Sequence, residues 1–372
     1  MQFSIEQKIL ATALGQLNRV VPARATHPIL TGILLEALPG KLKLTAFDLS
    51  CGLTITLPVL TTTPGKVVLP GKMFAEVVSK MPKDHLMLSV GEELQTTITA
   101  PKAEFVICGL PAEEFPELPL TTENQVIFPE GSLQNCLGKV LYAASTDDTK
   151  LVLTGCHFRS NGADLDMAAT NGHFLACHAV REVGIEVPGL TVARSVLQVL
   201  EALKIEGDIT VNFDEQLISF EYGENLLVGR LLQGAYPMYK QLIPAQYAVN
   251  AIVNRKELIS AIQAVSIFDE KNHTISFAFK GRKDRADLMY KGDKLEISGT
   301  GTETGRGNYT LDCELTGTES LEIGFNAKYL IAGLASFEED EINISMNHSN
   351  SPVVISNEDS LFLVMPLQVV ER

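Results

Sequence analysis

The side chains of this chain that could do chemistry are its seven histidines and six cysteines. A zinc site needs such residues at short, regular spacing, as in H-E-x-x-H or paired C-x-x-C motifs. The sequence contains neither pattern. His173 and His178 are five positions apart in a segment with strand character, where they would point to opposite faces. We therefore predict no metal site.

The cysteines are scattered, and no signal-peptide pattern or membrane-length apolar run accompanies them. An even number of cysteines could form disulfides, but a large chain of this kind is typical of proteins with reduced, buried thiols. We expect a soluble, cytoplasmic protein with no membrane partner. The six cysteines are Cys51, Cys108, Cys136, Cys156, Cys177 and Cys313.

A glycine-rich run at residues 299–307 has the composition of a phosphate-binding loop. Such a loop must open a helix, because the amides of the helix N-terminus bind the phosphate. The residues that follow, 308–311, have strand character, so a flexible hairpin is the better interpretation. The sequence also contains no acid–base pair and no nucleophile motif. We therefore predict no catalytic residues, no cofactor and no enzymatic activity.

The elements that must position any functional residue occur as three copies of one unit. The chain has 372 residues, and a strand followed by an amphipathic helix recurs at offsets of 123 and 125 residues. Each helix has apolar residues at i, i+4 and i+7, which lie on one helical face. These faces are Leu10, Leu14 and Leu17, then Leu133, Leu137 and Val140, then Leu258, Ile262 and Val265.

A second helix in each repeat begins after a basic residue, namely Lys72, Arg194 or Lys328. The rest of each repeat alternates apolar and polar residues between turn signals, as antiparallel strands do. We therefore predict that each repeat folds as two helices packed on antiparallel sheets of about eight short strands, which is the α+β class. The predicted domains are residues 1–122, 123–248 and 249–372, with boundaries where the pattern resets after proline.

Five segments of the sequence resemble motifs of one family, the bacterial DNA polymerase III β subunit or sliding clamp. Residues 24–30 are similar to its R-x-T-x-P-I-L motif and residues 169–176 to A-T-D-G-H-R-L-A. Residues 236–244 resemble F-P-D-Y-x-x-x-x-P, and residues 323–330 and 364–367 match further family segments. The resemblance implies three tandem DNA-clamp domains and a head-to-tail homodimer that closes into a six-domain ring, with helices lining the hole.

The net charge of −15 argues by itself against nucleic acid, since phosphate binding needs a basic surface. The six predicted helices, at residues 6–21, 71–83, 131–145, 193–204, 254–266 and 326–336, together carry +7 and leave −22 for the rest of the chain. Basic helices with an acidic remainder would suit a ring that holds duplex DNA inside. The resemblance implies DNA contacts by Arg24, Lys72, Lys150 and Arg194. Any one of these side chains could instead be a solvated helix or loop end, and the chain departs from the family at Leu151, Val152, Ser195 and Gln241.

The resemblance also implies a pocket for short peptides of the DNA polymerase III α subunit, the clamp loader, other polymerases and repair proteins. Its residues would be Leu153, Thr170, Gly172, His173, Leu175, Pro237, Leu242, Asn326, Tyr329, Leu363, Met365 and Pro366. Leu153, Leu175 and Leu363 could instead be core. Phe174 stands where the family has arginine and Pro352 where it has a small polar residue, so we expect a more apolar rim.

Ring closure needs a heterologous contact between the first domain and the third domain of a second copy. Ile267 and Phe268, which follow the first helix of the third repeat, are the candidate apolar part of this dimer interface. Core packing is the other interpretation of these two residues. A different function also stays open, namely a tandem-repeat scaffold that binds proteins and does not act on DNA.

Overall fold

The computed structural model describes residues 1–184, 186–269, 273–281, 292–301, 304–317 and 320–367. Over these ranges the chain forms six α-helices and 25 β-strands, which is the predicted α+β class. No helix in this part of the chain is long and apolar enough to cross a membrane.

The first repeat alternates strands with two helices. Its elements are β1 (Gln2–Glu6), α1 (Gln7–Leu17), β2 (Gly32–Leu38), β3 (Lys41–Phe47), β4 (Cys51–Pro58), β5 (Leu60–Thr63), β6 (Gly65–Pro70), α2 (Gly71–Lys80), β7 (His85–Val90), β8 (Gln95–Ala100) and β9 (Ala103–Cys108). Leu10, Leu14 and Leu17 of α1 are fully buried, as their spacing predicts.

The second repeat has the same order, with a strand leading into each helix. Its elements are β10 (Asn124–Phe128), α3 (Ser132–Val140), β11 (Gly155–Asn161), β12 (Asp164–Thr170), β13 (Phe174–Val180), β14 (Leu190–Ala193), α4 (Arg194–Ala202), β15 (Ile209–Phe213), β16 (Leu217–Tyr222) and β17 (Asn225–Arg230). Leu133, Leu137 and Val140 of α3 are buried, so the predicted helical face is confirmed.

The third repeat follows the same plan. Its elements are β18 (Val249–Asn254), α5 (Arg255–Ser266), β19 (Thr274–Lys280), β20 (Asp293–Gly301), β21 (Gly305–Thr316), β22 (Ser320–Asn326), α6 (Ala327–Ala335), β23 (Glu341–Met346), β24 (Val353–Ser356) and β25 (Ser360–Val364). Both helices begin at a strand-final asparagine whose side chain accepts from the first-turn amides, as N-caps do.

The chain divides into two compact units. Unit 1 consists of Met1–Asn135 and Val192–Gln233, and unit 2 of Cys136–Thr191 and the described residues from Gly234 onward. Unit 1 contains a five-stranded sheet, β5-β1-β7-β8-β9, and an eight-stranded sheet, β10-β15-β16-β17-β4-β3-β2-β6. Unit 2 is built on the order β11-β12-β13-β25-β24-β23-β18-β21-β20-β19-β22, with β14 beyond β11.

Each unit joins strands of two successive repeats by an antiparallel ladder. In unit 1, β17 pairs with β4 and brings Leu227 opposite Leu53. In unit 2, β13 pairs with β25 and brings Leu175 opposite Leu363. The strands of the second repeat are therefore shared between the two units.

Four local expectations can be compared with this fold. The glycine run is a hairpin, since β20 pairs with β21 as far as Gly301 and Gly305, so that prediction is confirmed. His173 lies in the turn before β13 and not on the strand, so the two-face argument for His173 and His178 is wrong. In the described ranges no group of three metal-ligating side chains occurs. Of the cysteines expected to be buried, Cys51, Cys136 and Cys156 are buried, Cys177 and Cys313 are half-buried, and Cys108 is exposed.

Candidate functional site

The centre of the candidate site in unit 2 is the turn that joins β12 to β13. The Oδ1 atom of Asn171 accepts hydrogen bonds from the backbone N–H groups of His173 and Phe174, at 2.9 and 3.1 Å. The Thr170 hydroxyl donates to the Phe174 carbonyl at 2.6 Å and accepts from the Gly172 N–H at 3.1 Å. Gly172 has a φ of +90°, which a residue with a Cβ rarely adopts. The turn is therefore held rigidly, with Gly172 and His173 exposed.

Asn171 belongs to the site, although the resemblance to the family motif did not identify it as a site residue. It stands where the family motif has aspartate, and its carbonyl oxygen makes the two hydrogen bonds that shape the turn. The pair Asn171-Gly172 is a turn signal in itself, because Asn bonds to backbone two residues onward and Gly permits a positive φ. This signal could have identified the residue.

The C-terminal Met-Pro segment lies against this turn. The backbone N–H of Met365 donates to the His173 carbonyl at 2.9 Å, and that of Leu367 donates to Gly324 on the edge strand β22 at 2.8 Å. These two bonds hold Met365 and Pro366 at the site. The Met365 side chain is exposed, as a peptide contact requires.

The first turn of α6 completes this side of the site. The Oδ1 atom of Asn326 caps the helix by accepting from the N–H groups of Lys328 and Tyr329. The Tyr329 ring stacks on His173, with centroids 6.0 Å apart and planes 20° apart. Four predicted residues from three segments, His173, Asn326, Tyr329 and Met365, are therefore brought together.

Two of the predicted pocket residues are in the core. Leu175 is 1% exposed and Leu363 is 2% exposed, and they pack in one cluster with Ala168, Tyr239 and Val354. Each faces the other across the β13–β25 ladder. Their side chains offer almost no surface to a ligand, which is the core interpretation that the sequence left open. Leu153 is half-buried.

Phe174 also turns inward, so it does not contribute to the apolar rim that was expected from it and Pro352. Pro352 is half-buried. Phe174 is 6% exposed. Its ring lies 6.1 Å from that of Tyr142, 5.9 Å from that of Phe362 and 4.8 Å from that of Tyr329. An arginine could not be buried in this way without a partner for its charge, whereas a phenyl ring gains by leaving water. The aromatic cluster thus removes Phe174 from the rim.

The segment after Gly234 supplies the apolar edge of the site. Tyr239 begins a short 3-10 helix, Tyr239–Leu242, and its ring is buried in the Leu175 and Leu363 cluster. This anchor leaves Pro237 exposed and Leu242 55% exposed. Lys240 on the same turn forms an ion pair with Asp166 of β12 at 2.5 Å.

A half-buried histidine packs against this segment. The ring of His157 on β11 stacks on Tyr236, with centroids 4.6 Å apart and planes 8° apart, and its Nδ1 is 3.1 Å from the Thr191 hydroxyl. Burial, helped by the positive charge of Arg159, lowers the pKa of His157 to about 4. Burial also lowers the pKa of His178.

The lowered pKa of His157 predicts that the folded protein loses stability in acid. Between pH 6.5 and about 4 the unfolded chain binds a proton at His157 that the folded chain does not. The contribution of the neutral ring to the free energy of unfolding is therefore fully present above pH 6.5 and is lost as the pH falls toward 4. We expect His157→Phe, which keeps the stack on Tyr236, to show a shallower fall in the free energy of unfolding. Urea titrations at pH 7.0 and 4.5 would measure it, and parallel slopes for both proteins would refute the assignment.

The four predicted DNA contacts belong to different parts of the chain. Arg24 and Lys72 of unit 1 are exposed, the first after α1 and the second in the first turn of α2. Arg194 is half-buried at the start of α4. Lys150 belongs to unit 2 and lies in the 3-10 helix Asp148–Thr154, beside the β12–β13 turn.

The observed helix limits reduce the predicted charge separation but keep its sign. The six helices as observed carry +5, which leaves −20 for the rest of the chain. Two of their lysines are paired with an acidic loop, Lys139 with Glu338 and Lys256 with Asp340, both at 2.7 Å. The remaining basic residues include Lys8, Lys72 and Lys80 on the helices of unit 1.

Ile267 and Phe268, the predicted interface pair, have different surroundings. Ile267 is 62% exposed immediately after α5. Phe268 is half-buried and lies over the glycine hairpin, where a Cβ atom on Gly307 would come within 2.3 Å of its ring. The core interpretation thus describes Phe268 better than Ile267.

An exposed strand edge in unit 1 was not predicted. β9 is the terminal strand of the five-stranded sheet, and Phe105 and Val106 on it are exposed. An edge strand with apolar side chains is a template for pairing with another strand. The alternation of apolar and polar side chains in residues 103–108 is consistent with a strand. Only the order of the strands in the folded sheet shows that β9 lies at its edge.

Comparison with known families matches the chain along almost its whole length. Residues 1–119 match the model for the N-terminal domain of the DNA polymerase III beta subunit, residues 128–238 the central domain and residues 240–367 the C-terminal domain. The three matches follow the order of the three repeats.

Individual relatives agree with these matches. The chain is 33% identical to the beta sliding clamp of Synechocystis sp., with 100% of both chains covered. It is 32% identical to the beta sliding clamp of Synechococcus elongatus over 99% of this chain and 100% of the relative. A solved DNA polymerase sliding clamp from Bacillus subtilis superimposes with a TM-score of 0.90 at 27% identity, covering 100% of both chains. A sliding clamp from Bartonella birtlesii bound to griselimycin gives a TM-score of 0.91 at 27% identity, covering 99% of this chain and 100% of that one.

Proposed function

The chain belongs to the DNA polymerase III beta subunit family and is a DNA sliding clamp, and we propose that it acts as a head-to-tail homodimeric ring around duplex DNA. The observation that carries the function is the match of three tandem clamp domains along the chain, together with whole-length similarity to beta sliding clamps. A clamp is a processivity factor that tethers the polymerase and has no active site of its own. We propose a cytoplasmic location, because bacterial DNA is replicated there.

The proposed DNA contact is electrostatic and independent of sequence. Flexible cations that meet phosphates, and not base edges, allow a ring to move along the duplex. Positive helices on a negative chain support this mode of binding. We assign Arg24, Lys72, Lys150 and Arg194 to such contacts.

The proposed ring closes between the first domain of one copy and the third domain of the other. The exposed edge β9, with Phe105 and Val106, supports the first side of this contact, and Ile267 supports the second. Two identical heterologous contacts of this kind make a closed twofold ring. The domain limits 1–122, 123–248 and 249–372 remain our proposal for the three domains in each copy.

The proposed docking site binds short peptides of the polymerase α subunit, the clamp loader, other polymerases and repair proteins. Its accessible residues are Gly172, His173, Pro237, Leu242, Asn326, Tyr329, Met365 and Pro366, with Leu153 and Thr170 beside them. Leu242 and the adaptable Met365 suit apolar anchors, and the exposed turn offers polar backbone groups. Leu175 and Leu363 support this surface from below.

The ring is tested by loading onto circular DNA. The protein is loaded with clamp loader and ATP onto a nicked plasmid, and retention on the DNA is measured before and after the plasmid is cut once. We expect retention on the circle and rapid loss after linearisation, because a ring slides off free ends.

The control is a second linear plasmid whose ends are blocked by bound protein, on which the ring should remain. Equal retention on circular and open linear DNA would contradict the ring. It would favour the alternative of a scaffold that binds proteins and does not encircle DNA.

A further inference from the structure

Two lysines on helices of unit 2 have their charge paired within the chain. Lys139 lies in the last turn of α3 and donates to Glu338 Oε1 at 2.7 Å. Lys256 lies in the first turn of α5 and donates to Asp340 Oδ1 at 2.7 Å. Both carboxylates belong to residues 338–340, between α6 and β23, which we call the acidic loop. One short segment thus neutralises a cation on each of two helices.

The acidic loop is held in place by hydrogen bonds that do not involve these lysines. The backbone N–H of Arg255 donates to the Asp340 carbonyl at 2.8 Å, and its Nε donates to the Glu339 carbonyl at 2.7 Å. The side-chain amide of Asn357 donates to Glu339 Oε1 at 2.6 Å. The backbone of the loop is therefore fixed independently, and its outer two carboxylates are presented beside the lysines at little further cost in conformational freedom.

The charges of the two carboxylates face solvent. The hydrogen bond from Lys139 lowers the pKa of Glu338, and the hydrogen bond from Lys256 lowers the pKa of Asp340, so both groups are ionised at neutral pH. Their side chains are 87% and 72% exposed. Ion pairs as exposed as these are weak enough to be exchanged for another anion. A phosphate of a duplex and a carboxylate of the loop would therefore compete for the same ammonium group.

We propose that the acidic loop limits the affinity of the protein for DNA, because Glu338 and Asp340 keep Lys139 and Lys256 from binding phosphate. This inference rests on the proposed ring around duplex DNA. A closed ring remains on DNA by its topology, so it does not depend on strong phosphate contacts. Each additional contact has to be broken and remade as the ring moves, which slows the movement. The loop therefore acts as an internal substitute for phosphate.

The test is a salt titration of duplex binding by the Glu338→Gln/Asp340→Asn variant, which removes both charges and keeps the shape of both side chains. Anisotropy of a short fluorescein-labelled duplex reports binding from about 50 to about 200 mM KCl. The slope of log K against log salt concentration should become steeper by about 0.9 for each lysine that gains a phosphate, and so by at least about 1.8. At the lowest salt concentration the affinity should rise at least about threefold.

The lysines themselves provide the first control. In the unmodified protein, Lys139→Gln/Lys256→Gln should change the slope little, because these cations are already paired with carboxylates. In the Glu338→Gln/Asp340→Asn variant, the same two lysine substitutions should abolish the gain in slope and in affinity. This cycle shows whether the gain comes from the two released lysines.

The second control removes two paired carboxylates elsewhere. Glu224 pairs with Lys41 on β3, and Glu296 on β20 pairs with Lys280 on β19. The Glu224→Gln/Glu296→Gln variant has the same net charge as the acidic-loop variant, but the lysines that it releases lie on strands. It should bind the duplex with the slope of the unmodified protein.

The outcomes distinguish this inference from the proposed function. An unchanged slope in the acidic-loop variant, or a gain that persists without the two lysines, would overturn the inference, while retention on circular DNA and loss after linearisation would still support the ring. An equal gain in the strand control would assign the effect to net charge and would also overturn the inference. If the unmodified protein is not retained on circular DNA, the ring fails and this inference fails with it.

Discussion

Replacing Ile267 with aspartate should convert the dimer into a monomer. Ile267 is an apolar side chain that directly follows α5 and is 62% exposed in the single chain. An aspartate there would carry an unpaired charge into a contact from which water is excluded. We expect the dissociation constant of the dimer to rise at least about 30-fold, the effect of losing a central interface residue. Light scattering after size-exclusion chromatography over a range of concentrations would measure it.

Phe268 should respond differently, although it is adjacent in sequence. Its ring lies over Gly307, and its carbonyl oxygen is so close to Gly301 that a Cβ atom there would be 1.9 Å away. Phe268→Ala should therefore reduce the stability of the fold itself, whereas Ile267→Asp should affect association alone. Thermal unfolding of both variants under dissociating conditions would separate the two effects.

A matched control for Ile267 is Ile127 on β10, which is exposed to a similar extent and lies outside every assigned surface. Ile127→Asp should leave the dimer intact. A dimer of unchanged strength in Ile267→Asp would mean that this residue is not in the interface. A wild-type protein that is monomeric at every concentration would contradict the ring as a whole.

Local patterns predicted the helices well because their information is contained in a few neighbouring residues. The faces led by Leu10, Leu133 and Leu258 are buried as predicted, since i, i+4 and i+7 spacing determines a helical face without reference to the rest of the chain. The recurrence of that spacing also identified three copies. Such inferences need only the periodicity of the helix.

Features that depend on pairing between distant strands could not be predicted in this way. The exposure of Phe105 follows from β9 being the last strand of its sheet, and strand order is a property of long-range contacts. The burial of Leu175 follows from its position opposite Leu363, 188 positions later in the chain. The motif comparison grouped these leucines with the exposed Leu242, because similarity to a family motif does not reveal which way a side chain points.

The burial of Phe174 likewise could not be predicted from the sequence. Its replacement is the second substitution for which we expect a large effect, here on the stability of the fold. The sequence indicated a change from arginine to phenylalanine but not that the ring would leave the surface. In the structure it fills the space between Tyr142, Tyr329 and Phe362, and Phe362 in turn lies over Gly333. The residue therefore joins β13 of the second repeat to α6 and β25 of the third, all within unit 2.

Phe174→Ala should lower the free energy of unfolding by about 3 kcal/mol, because the buried ring is lost and its neighbours can only partly fill the cavity. Phe174→Leu keeps much of the volume and should cost about 1 kcal/mol, and Leu60→Ala, at an exposed residue, less than about 0.5 kcal/mol. Urea unfolding followed by both circular dichroism and tyrosine fluorescence would measure all three, with agreement between the probes testing for two-state behaviour. A cost for Phe174→Ala as small as that for Leu60→Ala would show that the aromatic cluster does not stabilise unit 2. Because the cluster also positions Tyr329 against His173, the alanine variant should bind the short docking peptides more weakly even where it remains folded.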